Sequence, residues 1–164
     1  MGDLRRATAA DAADLTRLRG HMLGAMGADV TDPGWAPACE AALARRLAEP
    51  ASFAGWLVEV GGTAVSGGVG WVEEHLPSPG RVDGRRGHIA SMSTDPQHRR
   101  QGHGGEVFRA LMGWFAELGV PRVDLRATED GRRLYEAFGF RVLGGATMAW
   151  TDGGPAPGLG VIPR

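Results

Sequence analysis

The hydrophobic pattern is most regular between positions 107 and 118, where apolar side chains recur at helical spacing. The repeat places Val107, Leu111, Trp114, Phe115 and Leu118 on one face. A stripe of this width predicts an amphipathic helix that buries one face in a core. Gly119 and Pro121 follow the stripe, and together they predict that the helix ends there.

Three apolar segments before this helix are rich in β-branched or aromatic residues and predict strands over 53–60, 63–72 and 88–94. Gly61-Gly62 joins the first two segments and predicts a tight hairpin turn. The segment 77–87 contains Pro, Gly, Asp and Arg, and it predicts a loop between the second and third strands.

The remaining elements are shorter and rest on local signals. Further strands are predicted over 4–7, 122–128 and 140–150, and further helices after Thr8, over 38–47 and over 130–138. Thr8 and Asp11 stand at the spacing of a capping box, in which an acidic side chain caps the start of a helix. Gly, Asp, Thr and Pro residues around Trp35 predict a loop over 27–37.

The order of these elements predicts a mixed α/β fold. A strand, two helices, three strands, a helix, a strand, a helix and a strand follow one another without an internal repeat. This order predicts a single α/β (α+β) domain over residues 1–151. Residues 152–164 are rich in Gly and Pro and are expected to form a tail.

Composition and charge disfavour several classes of partner. Of the 164 residues, 43% are hydrophobic and 23% are charged, as expected of a globular domain. The formal net charge is −1, so no broad basic field indicates a nucleic-acid partner. No apolar run approaches the roughly 20 residues that a membrane span needs. Cys39 is the single cysteine, which excludes an intrachain disulfide and favours a cytoplasmic location.

The glycine-rich stretch 93–105 joins the predicted strand 88–94 to the long helix. Its three glycines, Gly102, Gly104 and Gly105, leave backbone N–H groups uncovered at a helix start, where the helix dipole also favours an anion. Arg99 and Arg100 add positive charge beside these groups. The stretch therefore predicts a phosphate-binding site.

Two motifs in the chain resemble the signatures of the GNAT superfamily of N-acyltransferases. The first signature is Gln or Arg followed by x-x-Gly-x-Gly/Ala, and here it reads Arg99-Arg100-Gln101-Gly102-His103-Gly104. The second is a helix with Leu-Tyr followed by Gly-Phe, and here it reads Leu134-Tyr135-Glu136-Ala137-Phe138-Gly139-Phe140. The motifs occur in the family's order, and the resemblance extends from Leu4 to about Trp150.

The resemblance implies the GNAT fold, a mostly antiparallel central sheet of six to seven strands flanked by four helices. In that family the sheet opens between the strand before the glycine loop and the strand after the long helix, and the cofactor lies in the opening. The implied reaction transfers an acetyl group from acetyl-CoA to an amine, without a metal. The implied cofactor-binding residues are Met92, Ser93, Thr94, Arg99, Arg100, Gln101, Gly102, His103, Gly104 and Gly105.

The implied reaction needs a base for the amine and a donor for the leaving thiolate. By its position in the second motif, Tyr135 would donate to the sulfur, and pure packing is the alternative. His88 is the first candidate for the base, because it lies eleven residues before Arg99, where some family members carry a catalytic Glu. A solvated strand-end histidine is the alternative. Glu73 and Glu74, at the end of the third predicted strand, are the rival bases, and the alternatives are attraction of a cationic substrate and plain surface charge.

The direction of the His88 side chain depends on how regular its strand is. Regular pairing would place His88 on one face with Ala90, Met92 and Thr94, and Ser91 on the opposite face. Members of the family often have a bulge in this strand, which would break the alternation.

The acceptor is expected between the 24–37 loop, the start of the second helix and the 75–87 loop. The candidate lining residues are Trp35, Asp29, Asp32 and the Glu73-Glu74 pair, because aromatic and acidic side chains suit a cationic amine. The identity of the amine, the acyl-chain preference and the oligomeric state are left open. A homodimer is compatible with the family, with Met148-Ala149-Trp150 as a candidate contact.

Two alternative functions are open: one keeps acyl-CoA as the ligand without catalysis, and the other replaces it with a nucleic acid. A domain of the same fold could bind acyl-CoA as a sensor or regulatory module, because position 88 is not a Glu. Arg81, Arg85 and Arg86, together with the loop arginines, could form a nucleic-acid patch. Binding of the cofactor phosphates explains the loop arginines with fewer assumptions.

A dinucleotide-binding fold is a further alternative. It would also place Gly102-x-Gly104 between a strand and a helix, with an acidic residue such as Asp124 about twenty residues further on. Val107, however, stands where that fingerprint needs a third Gly or Ala.

Overall fold

Five strands form one sheet in the computed structural model, which describes residues 1–145. In spatial order they are β1 (Asp3–Arg6), β2 (Phe53–Val60), β3 (Thr63–Glu74), β4 (Arg85–Thr94) and β5 (Val123–Leu125). The described residues also form the helices α1 (Ala12–Ala25), α2 (Trp35–Leu47), α3 (His103–Glu117) and α4 (Glu129–Ala137). β1 to β4 pair antiparallel, while β5 runs parallel to β4. The predicted mostly antiparallel α/β architecture is confirmed, with five strands in the described residues.

Contacts within the chain define two compact units, residues 1–128 and the residues from Glu129 onwards. The first unit contains the sheet with α1, α2 and α3, and the second contains α4. No helix within residues 1–145 is long and apolar enough to cross a bilayer. The single domain over 1–151 stays a prediction. The tail 152–164 and the candidate contact at 148–150 lie outside the described residues.

One face of the sheet packs against α1 and α2. The buried cluster on this face includes Leu15, Leu18, Leu47, Phe53, Leu57, Ala64 and Val69. Phe53 and Leu57 of β2 lie four residues apart, so the two-residue period of a strand directs both to this face. Burial of each large apolar side chain contributes about 1.5–3 kcal/mol to folding.

The opposite face of the sheet packs against the apolar stripe of α3. Val107, Phe108, Leu111, Trp114 and Phe115 are all buried, so the predicted amphipathic helix is confirmed. Gly87 of β4 allows the helix to approach closely, because a Cβ there would lie 2.6 Å from Cε1 of Phe115. A side chain at position 87 would therefore push α3 away from the sheet.

Several boundaries differ from the sequence prediction. β5 covers only Val123–Leu125 of the strand predicted over 122–128, and residues 140–145, the described part of the strand predicted over 140–150, form no strand. α2 begins at Trp35, three residues earlier than predicted, because Pro37 lies in its first turn, where the missing N–H costs no helical hydrogen bond. β4 begins at Arg85, because Arg85 and Arg86 pair with Glu74 and Glu73 of β3 and extend the ladder. The loop between β3 and β4 is correspondingly shorter than predicted.

Asp11, which directly precedes α1, connects the start of this helix to the edge of the sheet. Its carboxylate accepts a hydrogen bond from the backbone N–H of Thr8 at 2.7 Å, as the predicted capping box requires. Arg5 of β1 donates two further hydrogen bonds to Asp11, at 2.6 and 2.9 Å, and also contacts Glu59 of β2. The Arg5 hydrogen bonds, with those from Thr8, outweigh the effect of burial and lower the pKa of Asp11 to about 2.

We expect Asp11→Asn to destabilise the protein by about 1–2 kcal/mol at pH 7, because it removes the charge that Arg5 and Thr8 hold. The pKa of Asp11 is lower in the folded state, so its contribution is present above about pH 4 and is lost as the pH falls towards 2. Urea unfolding of both proteins between pH 7 and 3 measures this difference. A constant difference across that range would contradict the assignment.

Candidate functional site

β4 departs from regular pairing at Ser91. Ala90 pairs with Val69 of β3 and Ser93 pairs with Gly67, so Ser91 and Met92 together oppose one residue of β3. The backbone of Ser91 has a φ of 56°, in the left-handed region that side chains other than glycine rarely adopt. This pattern is a β-bulge, which locally redirects the strand.

The bulge changes the direction of the side chains that follow it. The side chain of Met92 lies against Gly68, on the face that packs against α3. The Oγ of Ser91 accepts a hydrogen bond from Arg19 of α1 and therefore lies on the opposite face. Regular pairing would have placed Ser91 on the face opposite His88, but the extra residue breaks the two-residue period and places Ser91 on the α1 face.

His88 precedes the bulge and lies on the α1 and α2 face, as its ring contact with Trp71 shows. Thr94 follows the bulge, and its Oγ1 lies 2.8 Å from Oγ of Ser66 and close to the start of α3. The expected common face of His88 with Met92 and Thr94 is therefore wrong. The expected common face with Ala90 agrees with the structure, because Ala90 packs against the α1 and α2 cluster.

β4 and β5 diverge beyond Ile89. Their parallel pairing runs from Gly87 to Ile89 on β4, and β5 ends at Leu125. In the part of the chain that the structure describes, no strand pairs with the outer edge of β4 over residues 90–94. The backbone groups of this edge are available to a ligand that pairs as an added strand.

The loop after β4 presents a concave run of backbone. A single 3-10 turn, Pro96–His98, leads to Arg100 and Gly102, whose φ values of 60° and 93° are left-handed. A Cβ at Gly102 would meet no atom within 4 Å, and one at Gly104 would make only an ordinary contact of 3.5 Å. The protein itself therefore does not fill this concavity, which an anion at the start of α3 fits.

The side chains of the loop contribute unequally to this concavity. Arg99, Arg100 and Gln101 are exposed. The Nε of Arg99 donates to the carbonyl oxygen of Thr94 at 3.3 Å, which directs the guanidinium back towards β4. The ring of His103 is buried at 5% exposure, so this residue can offer a ligand only its backbone N–H.

The two candidate bases lie beside one aromatic ring. The Nε1 of Trp71 donates to Oε1 of Glu73 at 3.0 Å, and the ring of His88 lies 4.6 Å from the Trp71 ring, centre to centre. The other carboxylate oxygen of Glu73 lies 3.0 Å from Nε2 of His75. The structure thus brings His88 and Glu73 together and adds His75, which the sequence interpretation had missed despite its i+2 spacing from Glu73.

The charge state of Glu73 is set by these neighbours. Burial raises the pKa of Glu73, but the hydrogen bonds from His75 and Trp71 and the nearby His88 outweigh burial and hold the pKa below its ordinary value. Glu73 is therefore ionised at neutral pH. Glu74, the neighbouring residue, is exposed.

A cavity of about 510 Å³ lies between α1, the loop after it and α2. It is lined by Arg19, Leu23, Ala28, Asp29, Val30, Trp35, Ala38 and Cys39. Of the expected acceptor residues, Asp29 and Trp35 line it, whereas Asp32 and Glu73 do not. The loop around the cavity is shaped internally, since Trp35 Nε1 donates to the carbonyl oxygen of Val30 at 2.9 Å.

The acidic residues of this loop are engaged by the loop itself. Asp29 accepts hydrogen bonds from the hydroxyl and the N–H of Thr31, at 2.6 and 3.0 Å, and these lower its pKa. Asp32 accepts a hydrogen bond from the N–H of Gly34 at 2.9 Å. Both carboxylates therefore stabilise turns.

Arg19 is the residue of this region that sequence reasoning missed. It is half-buried, lines the cavity and reaches Ser91 at the bulge. The available signal was its position, because it follows Leu15 by four residues and Leu18 by one. That places a charge at the margin of the buried stripe of an amphipathic helix.

The second unit carries Tyr135 on α4. Its side chain is buried at 8% exposure, and its ring lies 6.3 Å from that of Phe140. Burial raises the pKa of Tyr135, so the phenol keeps its proton at neutral pH. Tyr135 can therefore donate a hydrogen bond or a proton.

Within residues 1–145, no group of three or more His, Cys, Asp or Glu side chains is placed to hold a metal ion.

The comparisons with known proteins agree on one family. Residues 22–140 match the family model described as Acetyltransferase (GNAT) family. No curated protein sequence matches the chain. Among solved structures, a GCN5-related N-acetyltransferase from Ralstonia eutropha JMP134 is 29% identical with a TM-score of 0.81, covering 92% of this chain and 99% of that one.

Two further solved structures share the fold. A predicted acetyltransferase from Clostridium acetobutylicum, solved with acetyl-CoA, is 21% identical with a TM-score of 0.82, covering 91% of this chain and 96% of that one. A glucosamine-6-phosphate N-acetyltransferase from Arabidopsis thaliana is 17% identical with a TM-score of 0.73, covering 93% and 99%.

The family match spans most of the chain and includes both motifs from which the resemblance was drawn. The expected fold and the expectation of an acyltransferase are confirmed at this level. The chain belongs to the GNAT family of acetyltransferases.

Proposed function

We propose that the protein is an N-acetyltransferase that transfers the acetyl group of acetyl-CoA to a primary amine. One observation carries the proposal: the unpaired outer edge of β4 runs directly into an anion-favouring loop at the start of α3. Coenzyme A combines an arm of peptide-like amides with a pyrophosphate, and both parts fit this sequence of sites.

The residues that would hold the co-substrate follow from this fit. The backbone of Met92, Ser93 and Thr94 supports the amide arm, and the Met92 N–H is proposed to polarise the thioester oxygen. The loop residues proposed to hold the pyrophosphate are Arg99, Arg100, Gln101, Gly102, His103, Gly104 and Gly105. His103 would act through its backbone alone.

The chemistry is a direct attack of the amine on the thioester carbonyl carbon. A C–N bond forms and the C–S bond breaks, the amine gives up a proton, and the thiolate gains one. His88 is proposed as the base, because an imidazole can act as a general base at neutral pH, whereas the pKa of Glu73 is held below its ordinary value. Glu73 would hold positive charge near His88, and Tyr135 would supply the proton to sulfur.

The alternative of a non-catalytic acyl-CoA sensor is distinguished by turnover. The presence of Tyr135 at its position in the second motif supports catalysis, because simple binding does not need a proton donor there. Loss of the thioester in the presence of an amine would establish an enzyme. Binding of acetyl-CoA without such loss for any amine would favour the sensor.

The single cysteine supports a cytoplasmic location.

We expect Gly104→Glu to weaken acetyl-CoA binding by about tenfold or more, since a carboxylate at the start of α3 repels the pyrophosphate and fills the concavity. Calorimetric titration measures this effect. Gly113→Glu is the matched control, because Gly113 lies exposed on the same helix and a Cβ there meets no atom within 4 Å. Equal binding by both variants would contradict the assigned phosphate site.

We expect His88→Gln to reduce kcat by about 100-fold or more and to remove the change in kcat near neutral pH that an imidazole base produces. Glu73→Gln should reduce kcat less and keep that change. The pKa of Glu73 lies below its ordinary value, so a Glu73 base would lose activity only at acidic pH, below the ordinary range of a glutamate. A flat profile between pH 5 and 8 in the wild-type protein would make Glu73 the base.

We expect Tyr135→Phe to reduce kcat by about 100-fold while leaving the KM for acetyl-CoA nearly unchanged, because only the proton donor is removed. The phenylalanine ring keeps the contact with Phe140. Steady-state kinetics measure kcat and KM, and thermal unfolding shows whether the variant is folded. A variant with wild-type kcat would assign Tyr135 to packing alone.

A further inference from the structure

Arg19 lies where the cavity meets the bulged part of β4. Its Nη1 donates to Oγ of Ser91, and its side chain also lines the cavity of about 510 Å³ between α1 and α2. Ser91 directly precedes Met92, whose N–H the proposed function assigns to the thioester oxygen. The guanidinium of Arg19 therefore lies beside the proposed point of acyl transfer.

Arg19 differs from its neighbour Arg17 in how its charge is balanced. Arg17 forms ion pairs with Asp14 at 3.6 Å and with Asp95 at 3.0 Å. Within residues 1–145, no carboxylate forms an ion pair with Arg19, whose recorded partner is the neutral hydroxyl of Ser91. A guanidinium presents five N–H donors in a planar fork that matches a carboxylate, so Arg19 can bind an anion from a ligand.

The rest of the cavity defines the shape of that ligand. Besides Arg19 and Asp29, the lining is apolar or small: Leu23, Ala28, Val30, Trp35, Ala38 and Cys39. The carboxylate of Asp29 is exposed and already accepts two hydrogen bonds from Thr31. The cavity therefore offers one cation beside β4, a mainly apolar space beyond it and one exposed carboxylate, that of Asp29.

We propose that the acceptor is a free α-amino acid with an apolar or aromatic side chain, whose carboxylate is bound by Arg19. This inference rests on the proposed function. The α-amino group is attached to the carbon that bears the carboxylate, so binding of the carboxylate at Arg19 holds the amine beside Ser91. The side chain then extends along Trp35 into the cavity.

Arg19 also favours the chemistry of this acceptor. A positive charge beside the amine disfavours the ammonium form and eases loss of the proton. The neutral nitrogen then bonds to the carbonyl carbon of the acetyl group and gives its surplus proton to the base. The C–S bond breaks, and the sulfur takes a proton from Tyr135 and leaves as a thiol. The product is an N-acetyl amino acid, whose carboxylate is still bound by Arg19.

Matched acceptors test the carboxylate directly. L-phenylalanine and L-leucine are compared with L-phenylalaninamide and L-leucinamide, with loss of acetyl-CoA followed by chromatography because Cys39 would react with a thiol reagent. We expect kcat/KM for each acid to exceed that for its amide by about 10- to 100-fold, because a charge-assisted hydrogen bond contributes a difference of this size to binding. Equal rates, or faster acetylation of the amides, would overturn the inference.

Variants then assign this preference to Arg19. Arg19→Gln should lower kcat/KM for the acids by about 10- to 100-fold and bring the ratio of acid to amide close to one. Arg19→Lys should restore part of the preference, because it keeps the charge. Arg45→Gln, which removes an exposed arginine of α2, is the control that should keep the preference. An unchanged preference in Arg19→Gln would overturn the inference.

Cys39 provides a second readout that does not depend on turnover. It is half-buried, lines the cavity and is the single cysteine, so its rate of modification reports on the occupied cavity. With CoA bound, L-phenylalanine should slow modification of Cys39 in the wild-type protein, and the protection should be lost in Arg19→Gln. Absence of protection in the wild-type protein would overturn the proposed pose.

Failure of this inference is distinguishable from failure of the proposed function. If calorimetry shows that acetyl-CoA binds and a polyamine or an amide is acetylated while the amino acids are not, the acceptor class is wrong and the N-acetyltransferase stands. If acetyl-CoA does not bind, the proposed function itself is wrong. Calorimetry of Arg19→Gln also shows whether that variant is folded.

Discussion

The extra residue at Ser91 of β4 is the constraint on which the rest of the site depends. By placing two residues opposite one, it sends Met92 towards α3 and Ser91 towards α1. The left-handed backbone of Ser91 costs on the order of 1 kcal/mol or more, which the surrounding sheet must hold in place. This strain produces a compact site. Within a few residues, β4 then presents an unpaired edge, side chains on both faces of the sheet and the start of the glycine loop.

Helix α1 holds this segment at both ends. Arg19 reaches Ser91 at the bulge, while Arg17 and His21 reach Asp95, where the glycine loop begins. The ion pair of Arg17 with Asp95 lies near the surface and contributes about 0–1 kcal/mol, so its role is positional. Since α1 also lines the cavity, one helix connects the proposed acceptor site with the proposed co-substrate site.

The predictable parts of this structure are those whose signals are local. The α3 stripe and the Thr8–Asp11 cap depend on residues close in sequence, and the structure bears them out. The glycine loop also depends on local sequence, and it leads into α3 where the sequence places it. The bulge could be anticipated only through the family, because it depends on how β4 registers with β3. The early start of α2 depends on a tolerated Pro37, and the contact of Arg19 with Ser91 joins residues far apart in sequence. Local patterns cannot encode such pairings.

The acidic residues show why composition is a weak guide to a substrate. Asp29, Asp32 and the Glu73-Glu74 pair indicated a cationic acceptor when only their number and place in the chain were known. The structure commits Asp29 and Asp32 to turns, and it gives both oxygens of Glu73 to Trp71 and His75. A carboxylate that already accepts hydrogen bonds within the protein attracts a ligand less than its formal charge suggests. In the same region, Arg19 has N–H donors that no carboxylate of the described residues neutralises. The charge that selects a ligand is therefore set by the groups that the fold leaves without a counter-charge.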